Sequence, residues 1–142
     1  MKACLSFSDL LEIGQPQINE MQRIGDSYPD ADVDGACIAF TRQVRMVEGA
    51  VVQTYGGAAL LARRVEDLNE VAEIWIRMSS FCKSALTVLS VLRHKYPLCG
   101  TPELYDLVLD YKLACEKRYT GAMEELACQS TSFPKGLLPE MT

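Results

Sequence analysis

The chain has 142 residues, of which 49% are hydrophobic and 23% are charged, and this is the composition of a globular domain rather than a disordered chain. The formal charge of −5 and the isoelectric point of about 4.9 disfavour binding to nucleic acid, because an acidic surface repels phosphate groups. A chain of this length buries roughly two-thirds of its unfolded surface, so its core requires neither disulfides nor a structural metal.

The N-terminal segment is predicted to form one or two short helices. Gly14 and Pro16 interrupt its apolar pattern, and Pro16 suits the first turn of a second helix. Gly25 would end that helix, and residues 26–32 have the composition of a loop. We therefore expect residues 1–32 to hold N-terminal helical pieces and this loop.

From residue 33 an apolar heptad runs almost unbroken through the middle of the chain. Such a stripe lets one helix bury a face against another. The adjacent Gly56 and Gly57 cost a helix about 2 kcal/mol relative to alanine, so we expect a break or kink near residues 55–58. Because the heptad phase continues across this point, one long kinked helix is the alternative. The heptad positions are Val33, Cys37, Phe40, Val44, Val47, Val51, Thr54, Ala58, Leu61, Val65, Leu68, Ala72, Trp75, Ser79, Cys82, Leu86 and Leu89.

Residues 58–95 carry a second apolar stripe beside the heptad. A helix with two apolar faces is contacted from more than one side, so we expect this segment to be the most buried element. Three basic side chains in its last turn, Arg93, His94 and Lys95, favour the negative end of the helix dipole, and Pro97 follows them. The second stripe consists of Val71, Ile74, Met78, Phe81, Ala85, Val88 and Leu92.

The next helix has the clearest predicted start. Thr101 is expected to be its N-cap, with Pro102 at the first helical position, and the helix should reach about Cys128. Because the turn before it is short, this helix and the preceding one should form an antiparallel hairpin.

The chain is thus predicted to be one all-α domain, residues 1–142. Its architecture is an up-down helical bundle built on the long antiparallel hairpin. Residues 33–128 form the bundle of long helices, and residues 129–142 are expected to be a loose C-terminal tail.

Six cysteines lie at positions 4, 37, 82, 99, 115 and 128. Their spacings contain no CxxC pair, and Cys37 and Cys82 fall on the heptad, where a thiol behaves as a small hydrophobic group. The first residues also contain no apolar run of the length that a secretory signal needs. We therefore expect reduced, mostly buried thiols in a cytoplasmic protein.

The acidic run at residues 30–35 matches the opening of an EF-hand calcium loop, with Asp30, Asp32 and Asp34 spaced as ligands. The match ends at Thr41, which stands where the loop needs a bidentate glutamate. We interpret the run as an acidic N-terminal cap of the following helix, with weak cation binding as the alternative.

Arg93, His94 and Lys95 are predicted to be anion-binding, with a solvated helix end as the alternative. His94 is the only histidine, which excludes His-pair metal motifs. The chain has no nucleophile or cofactor motif, and the one formal catalytic pair, His94 with Cys99, lacks an identifiable third group. We expect no enzyme activity, no cofactor and no metal site.

The segment from Ile74 to Leu92 approaches the length that spans a bilayer. Arg77 and Lys83 lie within it and would each cost about 2.5–3.5 kcal/mol near the membrane centre. A buried helix without membrane insertion is therefore expected.

The leading functional prediction is a non-enzymatic module for protein–protein interaction or oligomerisation. Its partner is predicted to be a second copy of the chain or another helical protein, which docks on an apolar heptad stripe. The small residues between Gly49 and Ala62 also indicate a tight helix crossing, within the chain or with another chain. The predicted partner-binding residues are Val44, Val47, Val51, Leu61, Val65, Leu68 and Trp75.

Two other functions fit the same sequence. Low mass, acidic charge and helical stripes also suit a small chaperone or adaptor of a secretion or virulence system. A small all-α enzyme or ligand-binding bundle could instead use Arg93, His94 and Cys99, or the carboxylates of residues 30–34.

Overall fold

The computed structural model describes residues 7–27 and 34–137, and it confirms the all-α prediction. These residues form four helices and no strand. The helices are α1 (Phe7–Ser27), α2 (Asp34–Arg64), α3 (Leu68–Lys95) and α4 (Thr101–Leu137).

Consecutive helices of the bundle run antiparallel. The side-chain amide of Gln43 on α2 donates to the backbone carbonyl and to the side-chain oxygen of Gln17 on α1, each at 2.9 Å. The ring centres of Tyr55 on α2 and Trp75 on α3 lie 5.6 Å apart. Both α1 and α4 pack on α2 and α3, and within the described ranges α1 does not contact α4. Helices α2 and α3 are therefore central, with α1 and α4 on opposite sides.

The predicted heptad is the buried face of the two central helices. Every heptad position within residues 40–58 and 72–89 is buried, and the positions between these ranges are half-buried. The second stripe of α3 is buried or half-buried along its whole length. The prediction of a central helix covered from several sides is thus confirmed for α3.

Helix α1 is continuous, so the interruption predicted at Gly14 and Pro16 is wrong. Pro16 deprives the carbonyl of Glu12 of its helical partner, but Glu12 and Pro16 are exposed, so this carbonyl lies on the solvent side of α1. Gly14 is buried where α1 crosses α2 and α3. A Cβ added there would lie 2.5 Å from Cζ of Phe81 and 3.0 Å from Oγ1 of Thr54, so this glycine permits close packing.

Helix α2 runs through Gly56 and Gly57, so the break predicted there is wrong. Gly57 faces α1, where an added Cβ would lie 2.5 Å from Cδ2 of Leu10, and packing against α1 stabilises the helix at a residue of low helix propensity. The chain turns after α2 instead. Asp67 caps α3 by accepting a hydrogen bond from the N–H of Asn69 (2.9 Å). The long kinked helix therefore does not form either.

The turn between α3 and α4 closes the predicted antiparallel hairpin. Gly100 has a φ of +84°, a conformation that favours glycine. Thr101 begins α4, but its hydroxyl donates backward to the carbonyl of Tyr96 (2.6 Å). The ring of Tyr96 stacks on the ring of Phe40, with ring centres 4.4 Å apart. This contact packs the α3–α4 turn against α2.

Helix α4 continues to Leu137, past its predicted end at Cys128. Residues 129–137 are therefore helical, which contradicts the predicted tail over that range. The rest of the predicted tail, residues 138–142, lies outside the described residues, as do residues 28–33.

Candidate functional site

The predicted partner-binding residues divide into two groups in the structure. Four are at most 5% exposed and pack in the core of the chain itself. The other three are half-buried near the connection between α2 and α3. A partner on the folded chain therefore cannot reach the buried four, and partner binding by the half-buried three stays a prediction. The buried four are Val44, Val47, Val51 and Trp75, and the half-buried three are Leu61, Val65 and Leu68.

One side of α2 is covered by no other helix over nearly its whole length. Its apolar members are Ile38, which is 64% exposed, Met46, which is 48% exposed, and Val52 and Leu60, each 44% exposed. Charged side chains alternate with them along the helix. We call this surface the outer face of α2, and define it as Ile38, Arg42, Arg45, Met46, Glu48, Gly49, Val52, Gln53, Gly56, Leu60, Arg63 and Arg64.

Two glycines interrupt the side chains of the outer face. A Cβ added at Gly49 or Gly56 would meet nothing within 4 Å, in contrast to the close contact of Gly57 with Leu10. An exposed glycine inside a helix lowers helix stability by about 0.5–1 kcal/mol relative to alanine. No contact within the described chain accounts for Gly49 and Gly56, and both leave the helix backbone open to close approach.

A cleft of about 520 Å³ adjoins the N-terminal half of the outer face. It lies between Arg45 and Glu48 of α2 and the α3–α4 turn, where Leu98 is 92% exposed. A second depression, of about 410 Å³, lies beside it at Ile38 and Arg42. Both are open to solvent, so they extend the outer face toward the turn.

The predicted anion-binding residues have three different surroundings. The guanidinium carbon of Arg93 lies 3.9 Å from the ring centre of Tyr105, and its buried Nε has no hydrogen-bond partner among the described residues. Nζ of Lys95 donates to the carbonyl of Gly25 (2.9 Å), whereas His94 is exposed. The structure therefore does not gather the three side chains around one anion, and anion binding there stays a prediction.

The cysteines with described side chains differ in exposure. Cys82, Cys99 and Cys115 are buried and Cys128 is exposed. Cys99 and His94, the one formal catalytic pair in the sequence, differ in solvent access. Cys99 is 2% exposed, whereas His94 is exposed. A hydrogen bond between the thiols of Cys82 and Cys115, together with burial, raises the pKa of Cys115, which keeps that thiol protonated at neutral pH.

The described residues contain neither a cluster of metal ligands nor a membrane-spanning helix. Within the described ranges, no three His, Cys, Asp or Glu side chains are grouped so as to hold a metal ion. Asp30 and Asp32 lie outside these ranges, so the calcium-loop hypothesis stays untested. Over the residues described, no helix has both the length and the apolar character needed to cross a bilayer.

The outer face of α2 is the surface that sequence reasoning did not identify. Gly49 and Gly56 are seven residues apart, with Val52 between them, and this spacing was the available signal. The small residues were associated with a tight crossing, but only the structure separates the crossing at Gly57 from the open side of the helix. Comparison of the chain with protein-family models, with curated proteins and with solved structures finds no match in any of the three.

Proposed function

We propose that the chain is a non-enzymatic helical module that binds a helical partner, either itself or another protein, through the outer face of α2. The observation that carries this proposal is the exposure of Ile38, Val52 and Leu60 along one side of a central helix. These side chains span about 33 Å of helix, which is the length of an extended helix–helix contact.

The outer face differs from the other exposed surfaces of the described chain. Helix α2 has four exposed large apolar side chains, whereas α3 has two, Ile76 and Val91, and the described part of α4 has two, Leu113 and Met123. Single exposed apolar residues are normal on soluble proteins, whereas a row of them with charged neighbours is typical of a docking surface.

Photo-cross-linking in expressing cells tests the proposal. A photoreactive phenylalanine analogue in place of Val52 should give cross-linked products, to the chain itself or to another protein. The same analogue in place of Leu113, which is 52% exposed on α4, is the matched control and should give few. Circular dichroism of both purified variants confirms that the helices are retained.

Equal cross-linking at the two positions, or none at position 52, would contradict the proposal. The first outcome would mean that α2 is no more than an ordinary exposed helix. The second would mean that the outer face stays in solvent, and the cleft beside Leu98 would become the next surface to probe.

A further inference from the structure

We propose that the part of the outer face of α2 from Glu48 to Arg64 docks on the same part of a second copy of the chain, with the two α2 helices antiparallel and crossing at Gly56. This inference rests on the proposed function and specifies its partner. A two-fold axis beside Gly56 places each residue at the same level along the contact as the one that lies equally far on the other side of Gly56. The contact is then closed and uses the same residues from both copies.

The charges of the outer face complement each other in this arrangement. Glu48 precedes Gly56 by eight residues and Arg63 follows it by seven on the same flank of the helix, so Glu48 of each copy meets Arg63 of the other, while Arg64 lies on the opposite flank. All three side chains are exposed, and none belongs to the two ion pairs formed among the described side chains. A parallel pair would set Arg45 against Arg45 and Arg63 against Arg63, near the centre of the contact. Charge therefore selects the antiparallel pair and opposes the parallel one.

The apolar side chains are self-complementary in the same register. Val52 and Leu60 lie four residues before and after Gly56, so Val52 of one copy packs on Leu60 of the other, twice in the dimer. Both are 44% exposed in the single chain. The dimer would remove them from water at the centre of the contact, which is where apolar anchors contribute most to binding.

The glycines supply the space that such a contact needs. Gly56 lies beside the axis, where two backbones approach most closely, and it carries no side chain to hold them apart. Gly49 lies opposite Arg63 of the other copy, and the open space above it can receive that long side chain. Two glycines without a role in the described chain thus have one in the dimer, in agreement with the charge and apolar pairing.

Light scattering over a dilution series from micromolar to millimolar concentration tests the charge pairing. The wild type should show a dimer that dissociates on dilution. Glu48→Arg, and separately the double variant Arg63→Glu/Arg64→Glu, should each weaken the dimer by at least about tenfold, because like charges then face each other. The triple variant that combines all three changes should restore it. Glu73→Arg, an equal change of charge at an exposed position of α3, should leave the dimer unchanged.

Disulfide trapping tests the direction of the helices. With Cys128 replaced by serine to remove an exposed thiol, Val52→Cys and Leu60→Cys are prepared as two separate variants. An equimolar mixture should give covalent dimers under mild oxidation, because position 52 faces position 60 of the other copy. Either variant alone should give few. Strong cross-linking of Val52→Cys to itself would overturn the antiparallel arrangement.

The outcomes separate this inference from the proposed function. A wild type that is monomeric at every concentration overturns the dimer, and cross-links from position 52 to a different protein would then still support a module with another partner. A dimer whose mass is insensitive to Glu48→Arg overturns the register. Loss of cross-links at position 52 in cells overturns the proposed function together with the dimer.

Discussion

The two central helices carry the same apolar heptad but meet different surroundings. Helix α3 is covered on two sides by its own chain, and both of its apolar stripes are used in the core. Helix α2 buries its heptad as completely, yet its opposite side carries exposed apolar side chains and two open glycines. The heptad therefore predicts only that one face of a helix is buried within the chain. The residues on the opposite side of the helix determine whether that helix can also bind another protein.

The comparison predicts that core residues of the heptad matter to folding far more than exposed apolar residues. Trp75 is 3% exposed, and its replacement by alanine should lower the free energy of unfolding by about 3–5 kcal/mol, because a large cavity opens between α2, α3 and α4. Val91→Ala, at a position of α3 that is 66% exposed, is the control and should change it by less than about 0.5 kcal/mol.

Urea denaturation followed by circular dichroism measures both variants, since Trp75 is the only tryptophan and fluorescence is lost with it. A loss below about 1 kcal/mol in Trp75→Ala would mean that the centre of the bundle repacks freely, and the contrast between core and surface would not hold.

Replacing a buried glycine and an exposed glycine by alanine should change the stability of the chain in opposite directions. Gly14→Ala forces a Cβ toward the ring of Phe81 and the hydroxyl of Thr54, so we expect a net destabilisation of about 1–3 kcal/mol in spite of the better helix propensity of alanine. Gly121→Ala, on α4 with nothing within 4 Å, should stabilise the chain by up to about 1 kcal/mol. Thermal unfolding of the two variants should therefore shift in opposite directions, and shifts of the same sign would contradict the packing at Gly14.

Periodicity was sufficient to predict most of the fold. The buried stripe, the central position of α3 and the hairpin turn before Thr101 follow from spacing and from the residues that stop a helix. These features depend on residues that are close together in the sequence, so they can be predicted from the sequence alone.

Positions that depend on contacts between helices were predicted less well. Gly14, Pro16, Gly56 and Gly57 were read as breaks because their local propensity disfavours a helix, but packing of α1 on α2 and α3 outweighs it at Gly14 and Gly57. Four of the seven predicted partner-binding residues lie in the core of the chain, which periodicity alone does not reveal. Val47 and Val52 are both apolar residues of α2, and only the placement of α1, α3 and α4 shows that one is 0% and the other 44% exposed.

The buried thiol pair gives a pH-dependent test of the α3–α4 hairpin. The pKa of Cys115 is raised above its ordinary value of 9.0 by the Cys82 thiol and by burial, so the folded chain keeps a proton that the unfolded chain loses. This contribution to stability is complete below about pH 9 and decreases as the pH rises further, by up to about 1.4 kcal/mol per pH unit.

Urea denaturation at a series of alkaline pH values checks this expectation. In Cys115→Ala the free energy of unfolding should fall less steeply with pH than in the wild type, since one raised pKa is removed. If the free energy of unfolding decreased equally with pH in the two proteins, the thiol of Cys115 would ionise normally. The Cys82 and Cys115 thiols would then not be shielded from solvent.

The smallest effect is expected at the edge where α2 meets α4. Nε of Arg118 donates to the hydroxyl of Tyr55 (3.1 Å), and its guanidinium carbon lies 5.0 Å from the ring centre of Trp75. Arg118 is exposed, so Arg118→Ala should cost less than about 1 kcal/mol, while Lys117→Ala beside it should cost almost nothing. Urea denaturation of both variants gives the difference.

A double-mutant cycle with Tyr55→Phe separates the hydrogen bond from the contact of Arg118 with Trp75. If the hydrogen bond accounts for the effect, Arg118→Ala in the Tyr55→Phe background should have a smaller cost than in the wild type. An undiminished cost would assign the effect to Trp75 instead. In either case the cost should stay well below that of Trp75→Ala, because the guanidinium bridges the rim of the bundle whereas the indole fills its centre. If Arg118→Ala lowered the free energy of unfolding by more than about 2 kcal/mol, Arg118 would contribute like a core residue. This result would contradict its placement at the rim of the bundle.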